Sequence, residues 1–134
     1  ELGSFKYENL DFGKYDVSQI IKSSIRLPIK KDSNDYKVVA SRSHLSRETE
    51  NFINQIKLSK KNVKIVSIGS SLKLCLVAEG KADCYPRHAP TMEWDTAAGH
   101  AVCKYAGFSV IDLTTNEPLK YNKENLLNNW FLVN

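Results

Sequence analysis

The strongest constraint on this chain is a repeated succession of short apolar strand, polar loop and helix. Tyr36-Lys37-Val38-Val39-Ala40-Ser41 has β-branched residues at its centre and polar residues at its end, which predicts a buried strand. Ser46-Arg47-Glu48-Thr49 then opens a helix, with the serine as cap, Glu48 and Glu50 in the first turn, and Phe52, Ile53 and Ile56 as its apolar stripe. Val63 to Ile68 alternates and stops at Gly69, a strand followed by a sharp turn. Ser70 to Ala78 reads as a helix closed by Glu79-Gly80, and Ala82 to Pro86 as a short strand. Trp94, Ala97, Ala98, Ala101, Val102 and Tyr105 fall at helical spacing, with Gly107 as the stop. Phe108–Leu113 and Trp130–Val133 are further strands, and Thr114–Pro118 is a turn. Strands alternating with helices in this way form an α/β layer with crossover connections, whose ligand sits beyond the strand ends.

Residues 1–36 read as irregular, with one edge hairpin: Lys6–Leu10 and Ile25–Ile29 are its candidate strands, Pro28 holding the second to an edge. Asp32–Asp35 is a turn cluster. The 134 residues suit one core, and 42% hydrophobic with 25% charged residues is ordinary for a globular chain. A net charge of +4 suits an anionic small ligand and is too weak to argue for nucleic acid. No apolar run approaches a membrane span and no signal-peptide pattern opens the chain. Cys75, Cys84 and Cys103 are widely spaced in apolar segments, which predicts buried free thiols in a reducing, cytoplasmic setting and no zinc site.

Polar residues gather at successive strand ends. Ser41-Arg42-Ser43-His44 follows the first strand, Gly69-Ser70-Ser71-Leu72-Lys73 the second, and Tyr85-Pro86-Arg87-His88 the third, which leads into Trp94-Asp95. Each group has two readings. Asp95 at a helix start is a cap, accepting from unpaired backbone N–H groups, or a ligand. Gly69-Ser70-Ser71 is a turn and helix cap, or an anion nest with Lys73 aimed at a phosphate. Arg87 is a surface residue, or a fork for phosphate oxygens. His44 is a loop histidine or a ligand, and His100 a packing or helix-surface residue; nothing argues for His88 in either direction. Glu79 ends a helix and Asp83 faces solvent at a strand edge. The residues alone point to a phosphate-binding α/β domain with the reaction left open.

From about Val38 to the end the chain resembles the C-terminal half of 3′(2′),5′-bisphosphate nucleotidases of the CysQ type. These belong to the lithium-sensitive, magnesium-dependent phosphatases that include inositol monophosphatase. Ser41-Arg42-Ser43-His44, the run Gly69 to Gly80, Tyr85-Pro86-Arg87, Pro90-Thr91, Trp94 to Val102, Pro118–Asn122 and Leu127–Phe131 carry the likeness. The resemblance implies the C-terminal α/β domain of the sugar-phosphatase fold, a central mixed sheet with helices on both faces, over residues 37–134. Residues 1–36 would continue from a preceding N-terminal domain. It implies Asp95 as a Mg²⁺ ligand, Ser70, Lys73 and Arg87 on the non-scissile phosphate, and His44 near the nucleoside. The implied reaction is hydrolysis of adenosine 3′,5′-bisphosphate to AMP and phosphate.

One departure matters. The family's other metal ligands come from a Glu-Glu pair and an Asp-Pro-(Leu/Ile)-Asp-Gly-Thr run, and this chain has no Asp-Pro and no adjacent acidic pair. Hard divalent cations take several oxygen ligands, so a single carboxylate predicts a partial site, inactive in isolation. A second departure is Phe108, where the family tends to glycine. The alternatives are an inositol phosphatase and a non-catalytic nucleotide-binding module. The pairing of Lys73 with Arg87 argues against the first, because a second phosphate is what requires both cations.

Overall fold

The computed structural model describes residues 2–8, 16–30, 33–41 and 45–134. Its elements in chain order are β1 (Phe5–Lys6), α1 (Val17–Lys22), β2 (Ile25–Arg26), β3 (Tyr36–Ala40), α2 (Arg47–Ser59), β4 (Val63–Ser67), α3 (Leu72–Ala78), β5 (Tyr85–Arg87), α4 (Glu93–Tyr105), β6 (Val110–Asp112) and β7 (Phe131–Val133). The predicted strand–helix alternation is present from β3 onward.

Parallel β3 and β4 pair in register from Tyr36↔Val63 to Ala40↔Ser67, while β7 lies antiparallel between β5 and β6. A parallel bridge between Val38 and Cys84, with Val39 N donating to Cys84 O at 2.8 Å, joins the two ladders. The strand order is therefore β4-β3-β5-β7-β6, a mixed sheet. Adjacent strand residues face opposite ways, and Val38 and Val39 show where each face leads. Val38 packs with Ile53 of α2 and with Cys84; Val39 packs with Leu74 and Val77 of α3, Cys103 of α4, and Phe131. Helices thus cover both faces, as the resemblance implies.

Local chemistry accounts for the element ends. Ser46 caps α2 as predicted, its Oγ accepting from Thr49 N at 3.3 Å. At the end of α4, Phe108 N donates to Cys103 O at 2.9 Å and Gly107 N to Lys104 O at 3.1 Å, the bond pair of a Schellman closure. Phe108 packs on the core just beyond it, so the departure at this position leaves the helix exit regular.

Residues 1–36 carry more regular structure than their sequence suggests. The hairpin strands pair antiparallel (Phe5↔Arg26), but they are two residues each and α1 stands between them, its start capped by Asp16. Asn9, Leu10 and Asp32, parts of the predicted first strand and turn, lie outside the described residues. Leu27 enters the core at 8% exposure, Ser4 N donates to Tyr105 O at 3.0 Å, and Ile29 N donates to Glu79 O at 3.0 Å. That last crossing requires Gly80: its φ is +75°, and a Cβ there would lie 2.6 Å from Ile29 O.

Asp83 corrects an expectation. Its Oδ2 accepts from Lys37 N at 2.6 Å, so it ties β5's approach to β3 and does not face solvent at an edge. The cysteines are free thiols, as predicted; Cys84 and Cys103 are buried, whereas Cys75 is only half-buried. Burial pushes the Cys84 thiol up to about 11 and the Cys103 thiol up to about 12, so both are inert packing groups.

Candidate functional site

Asp95 lies in the first turn of α4, three residues past Met92, the N-cap. Its Oδ2 accepts from Met92 N at 2.8 Å, the reach-back bond of a capping box. The capping role is thus real but made from the third helical position, and it uses one carboxylate oxygen. Among the described residues, Oδ1 has no partner.

The corner that presents Asp95 is held by a strap, residues 121–128. Glu93 N donates to Leu126 O at 3.0 Å and Asn128 N to Thr91 O at 2.9 Å, while Met92 and Leu127 form an antiparallel bridge. The Glu93 side chain, 8% exposed with its residue, accepts from Asn122 N at 2.7 Å and from Lys123 N at 3.2 Å, and pairs with Lys123 Nζ. Hydrogen bonding from Lys123 holds the Glu93 carboxyl below the usual range. Asn128 Nδ2 donates to Met92 O at 2.9 Å and Thr96 Oγ1 at 3.0 Å. Tyr121 OH donates to Thr96 Oγ1 at 3.4 Å and meets His100 Nδ1 at 2.8 Å, so His100 has the packing role predicted for it.

The opposite wall comes from the β4–α3 loop. Ser70 has φ +60°, a left-handed conformation that a serine adopts at some cost. Neither Ser70 nor Ser71 caps α3 with its side chain; their hydroxyls meet each other at 3.5 Å. The helix-cap reading of this pair therefore fails, and both hydroxyls stay exposed at the loop. Lys73, 7% exposed, donates from Nζ to Ser70 O at 3.3 Å and lies 5.7 Å from the Tyr85 ring centroid. Desolvation by burial, then the nearby Arg87 charge, pulls the Lys73 ammonium below its ordinary value. Arg87, at the end of β5, donates from Nη2 to Pro90 O at 3.1 Å, and its Nε is buried without a hydrogen-bond partner. Next to it, His88 meets Thr49 Oγ1 at 3.0 Å and packs edge-on against Trp130, tying β5 to α2.

Ser70, Lys73, Arg87 and Asp95 line one cavity of about 610 Å³, together with Tyr85, Thr91 and Trp94. The helices supplying two of its walls approach closely because Gly99 of α4 has no side chain; a Cβ there would lie 3.1 Å from Leu74 Cβ. The fourth predicted substrate residue, His44, lies outside the described residues. For a divalent metal the donor set is short: among the described residues no group of three or more His, Cys, Asp and Glu could hold an ion. Glu93, the nearest acid in sequence, is committed to the strap. Asp95 suits Mg²⁺ as one hard oxygen ligand and does not make a site alone.

Glu93, Thr96 and Asn128 had no role in the sequence reading beyond the quoted motifs. Their partners lie 29 to 37 residues away in the chain for the Glu93 and Asn128 bonds, so no local pattern marks them.

The chain is 47% identical over 104 residues to the 3′(2′),5′-bisphosphate nucleotidase CysQ of Escherichia coli K12, covering 77% of this chain and 40% of that protein. It is 45% identical to the Salmonella typhimurium CysQ over the same shares. The structure matches the crystal structure of CysQ from Bacteroides thetaiotaomicron at TM-score 0.90 and 51% identity, covering 98% of this chain and 49% of that one. An inositol monophosphatase from Staphylococcus aureus shares the fold at TM-score 0.59 and 18% identity. This chain thus spans less than half the length of the nucleotidases it matches. The family description that fits residues 12–130 is the inositol monophosphatase family, and the chain belongs to it.

Proposed function

We propose that this chain is the substrate-binding part of a magnesium-dependent 3′(2′),5′-bisphosphate nucleotidase acting on adenosine 3′,5′-bisphosphate. The observation that carries the reading is the pairing of Lys73 with Arg87. Two cations share one cavity, burial and then the Arg87 charge lower the Lys73 ammonium, and among the described residues neither cation is in a salt bridge. Such a pair is stable when an anion of more than one charge enters. Ser70 and Lys73 hold one face of the non-scissile phosphate and Arg87 forks the other. The family resemblance assigns His44, which lies outside the described residues, to the nucleoside. The nucleotidase identity of the relatives supports this choice of substrate over an inositol phosphate.

Across the cavity, Asp95 is the residue of this chain that would contribute to a magnesium site. Magnesium, when bound, neutralises charge on the transferring phosphoryl group and its leaving oxygen. The remaining ligands belong, in this reading, to a domain outside residues 37–134, into which residues 1–36 lead. The free thiols of Cys75, Cys84 and Cys103 suit a cytoplasmic setting. Among the described residues no helix is long and apolar enough to cross a membrane.

The test compares adenosine 3′,5′-bisphosphate with inositol 1-phosphate on the whole protein. Lys73→Ala and Arg87→Ala each raise KM for the bisphosphate by roughly tenfold or more, the size of one lost charge-assisted hydrogen bond. KM for inositol 1-phosphate stays within about twofold in the same variants. Equal losses on both substrates would remove these residues from the second phosphate.

A further inference from the structure

We infer that Asn128 is a positioning residue for Asp95, acting through the Met92 peptide. Asn128 is 5% exposed and sits on the strap, far along the chain from the corner it serves. Its Nδ2 donates to Met92 O at 2.9 Å, to Thr96 Oγ1 at 3.0 Å and to Thr91 Oγ1 at 3.3 Å. The Met92 carbonyl is an acceptor only, which fixes the amide's orientation. Met92 is also the residue whose N–H donates to Asp95 Oδ2 at 2.8 Å. One residue is therefore held from both ends, its carbonyl by Asn128 and its amide by Asp95. Rotation about the Met92 backbone would swing the carboxylate. Asn128 also bonds Thr96, which follows Asp95 directly and is 1% exposed. Met92 and Thr96, which bracket Glu93-Trp94-Asp95, are thus both bonded to one buried side chain.

The neighbouring acid takes a different part. Glu93 fills both oxygens with strap groups and secures the same segment from the other end. Of the two carboxylates in Glu93-Trp94-Asp95, one is the clamp and the other is what the clamp presents. Removing the Asn128 side chain leaves its own backbone bond to Thr91 O and the Asp95 N bond to Met92 O in place, so the strap stays docked while the Met92 carbonyl loses its side-chain donor.

The experiment uses the whole protein with Asn128→Ala and, as a companion of nearly unchanged volume that keeps the Asn128 bond to Met92 O, Thr96→Val. Amide exchange of Met92 reads the Asp95 bond without any substrate, and steady-state kinetics on adenosine 3′,5′-bisphosphate reads its consequence. In Asn128→Ala, Met92 exchange rises roughly tenfold, the factor for one hydrogen bond. The kcat falls by a similar factor, with KM within about twofold because the Ser70–Lys73–Arg87 wall is untouched. Thr96→Val shifts both in the same direction by a smaller factor. Unchanged Met92 exchange overturns the inference, as does faster exchange with kcat unaltered, or a parallel change in KM. The kinetic arm rests on the nucleotidase reading. If the unaltered protein does not hydrolyse the bisphosphate, that reading fails, and exchange alone decides the role of Asn128.

Discussion

Lys73 is the residue whose surroundings say most about use. An ammonium that is 7% exposed, faces an aromatic ring and shares its cavity with a guanidinium is held in its charged form against both burial and repulsion. The sign of the consequence follows from the lowered pKa. Between that value and the ordinary 10.5, the folded protein binds fewer protons at Lys73 than the unfolded chain, so this group's contribution to stability improves as pH rises through the interval. Binding of a phosphate runs the other way, because it needs the charged amine. Nucleotide affinity is therefore predicted to fall on the alkaline side as Lys73 deprotonates, and Lys73→Arg, which stays charged, to flatten that limb; calorimetric titrations across pH measure it. An alkaline limb unchanged in Lys73→Arg would assign the titration elsewhere. Ser70 makes a complementary case. Its left-handed backbone favours glycine, so Ser70→Gly is predicted to keep or raise the melting temperature while weakening nucleotide binding by roughly five- to tenfold through the lost hydroxyl. A fall in melting temperature with unchanged binding would make Ser70 a structural residue only.

At the scale of elements, the site is an arrangement of α3 against α4, and its spacing is set by Gly99 on Leu74. Filling that contact is predicted to separate the walls. Gly99→Val lowers stability by about 1–3 kcal/mol, the range for overpacking a close contact. Leu74→Ala in the same background recovers part of it, so the two changes are less than additive in thermal melts. Additive losses would mean that the helices do not meet through this pair. Elements were legible in the sequence where apolar periodicity and end signals agreed, as in α2 with Ser46, or α4 with Gly107. They were less legible where the deciding contact is distant. α1 is hard to read because it is only six residues long: Val17, Ile20 and Ile21 fall at helical spacing, but the run is under two turns and none of its residues is buried. Asp83 was misread because its partner is Lys37, 46 residues earlier. The grouping of Ser70, Lys73, Arg87 and Asp95 followed from loop position alone, since strand ends of an α/β sheet converge. The strap that presents Asp95 did not, because it depends on residues 121–128 folding back across the start of α4.

The whole molecule is lopsided in its chemistry. Its cavity has cationic and hydroxyl groups on one wall and, on the other, a carboxylate with one free oxygen among the described residues. Phosphate recognition needs only the first wall, whereas hydrolysis needs a metal that one carboxylate does not retain, since Mg²⁺ keeps near-octahedral oxygen coordination. The two activities should therefore separate in this chain. The 134-residue polypeptide is predicted to release no phosphate from adenosine 3′,5′-bisphosphate above background, with or without added magnesium, in a malachite-green assay. Where it folds, it is predicted to retain binding of the same nucleotide that weakens with salt and is lost in Lys73→Ala, because the recognising charges all lie on this chain and salt screens the incoming anion before it is buried against them. Magnesium-dependent turnover by this chain would show that Asp95 has partners the ligand count omits. Binding unaffected by Lys73→Ala would show that the cationic wall is not what selects the nucleotide, and with it would go the reason to prefer a bisphosphate over a single phosphate.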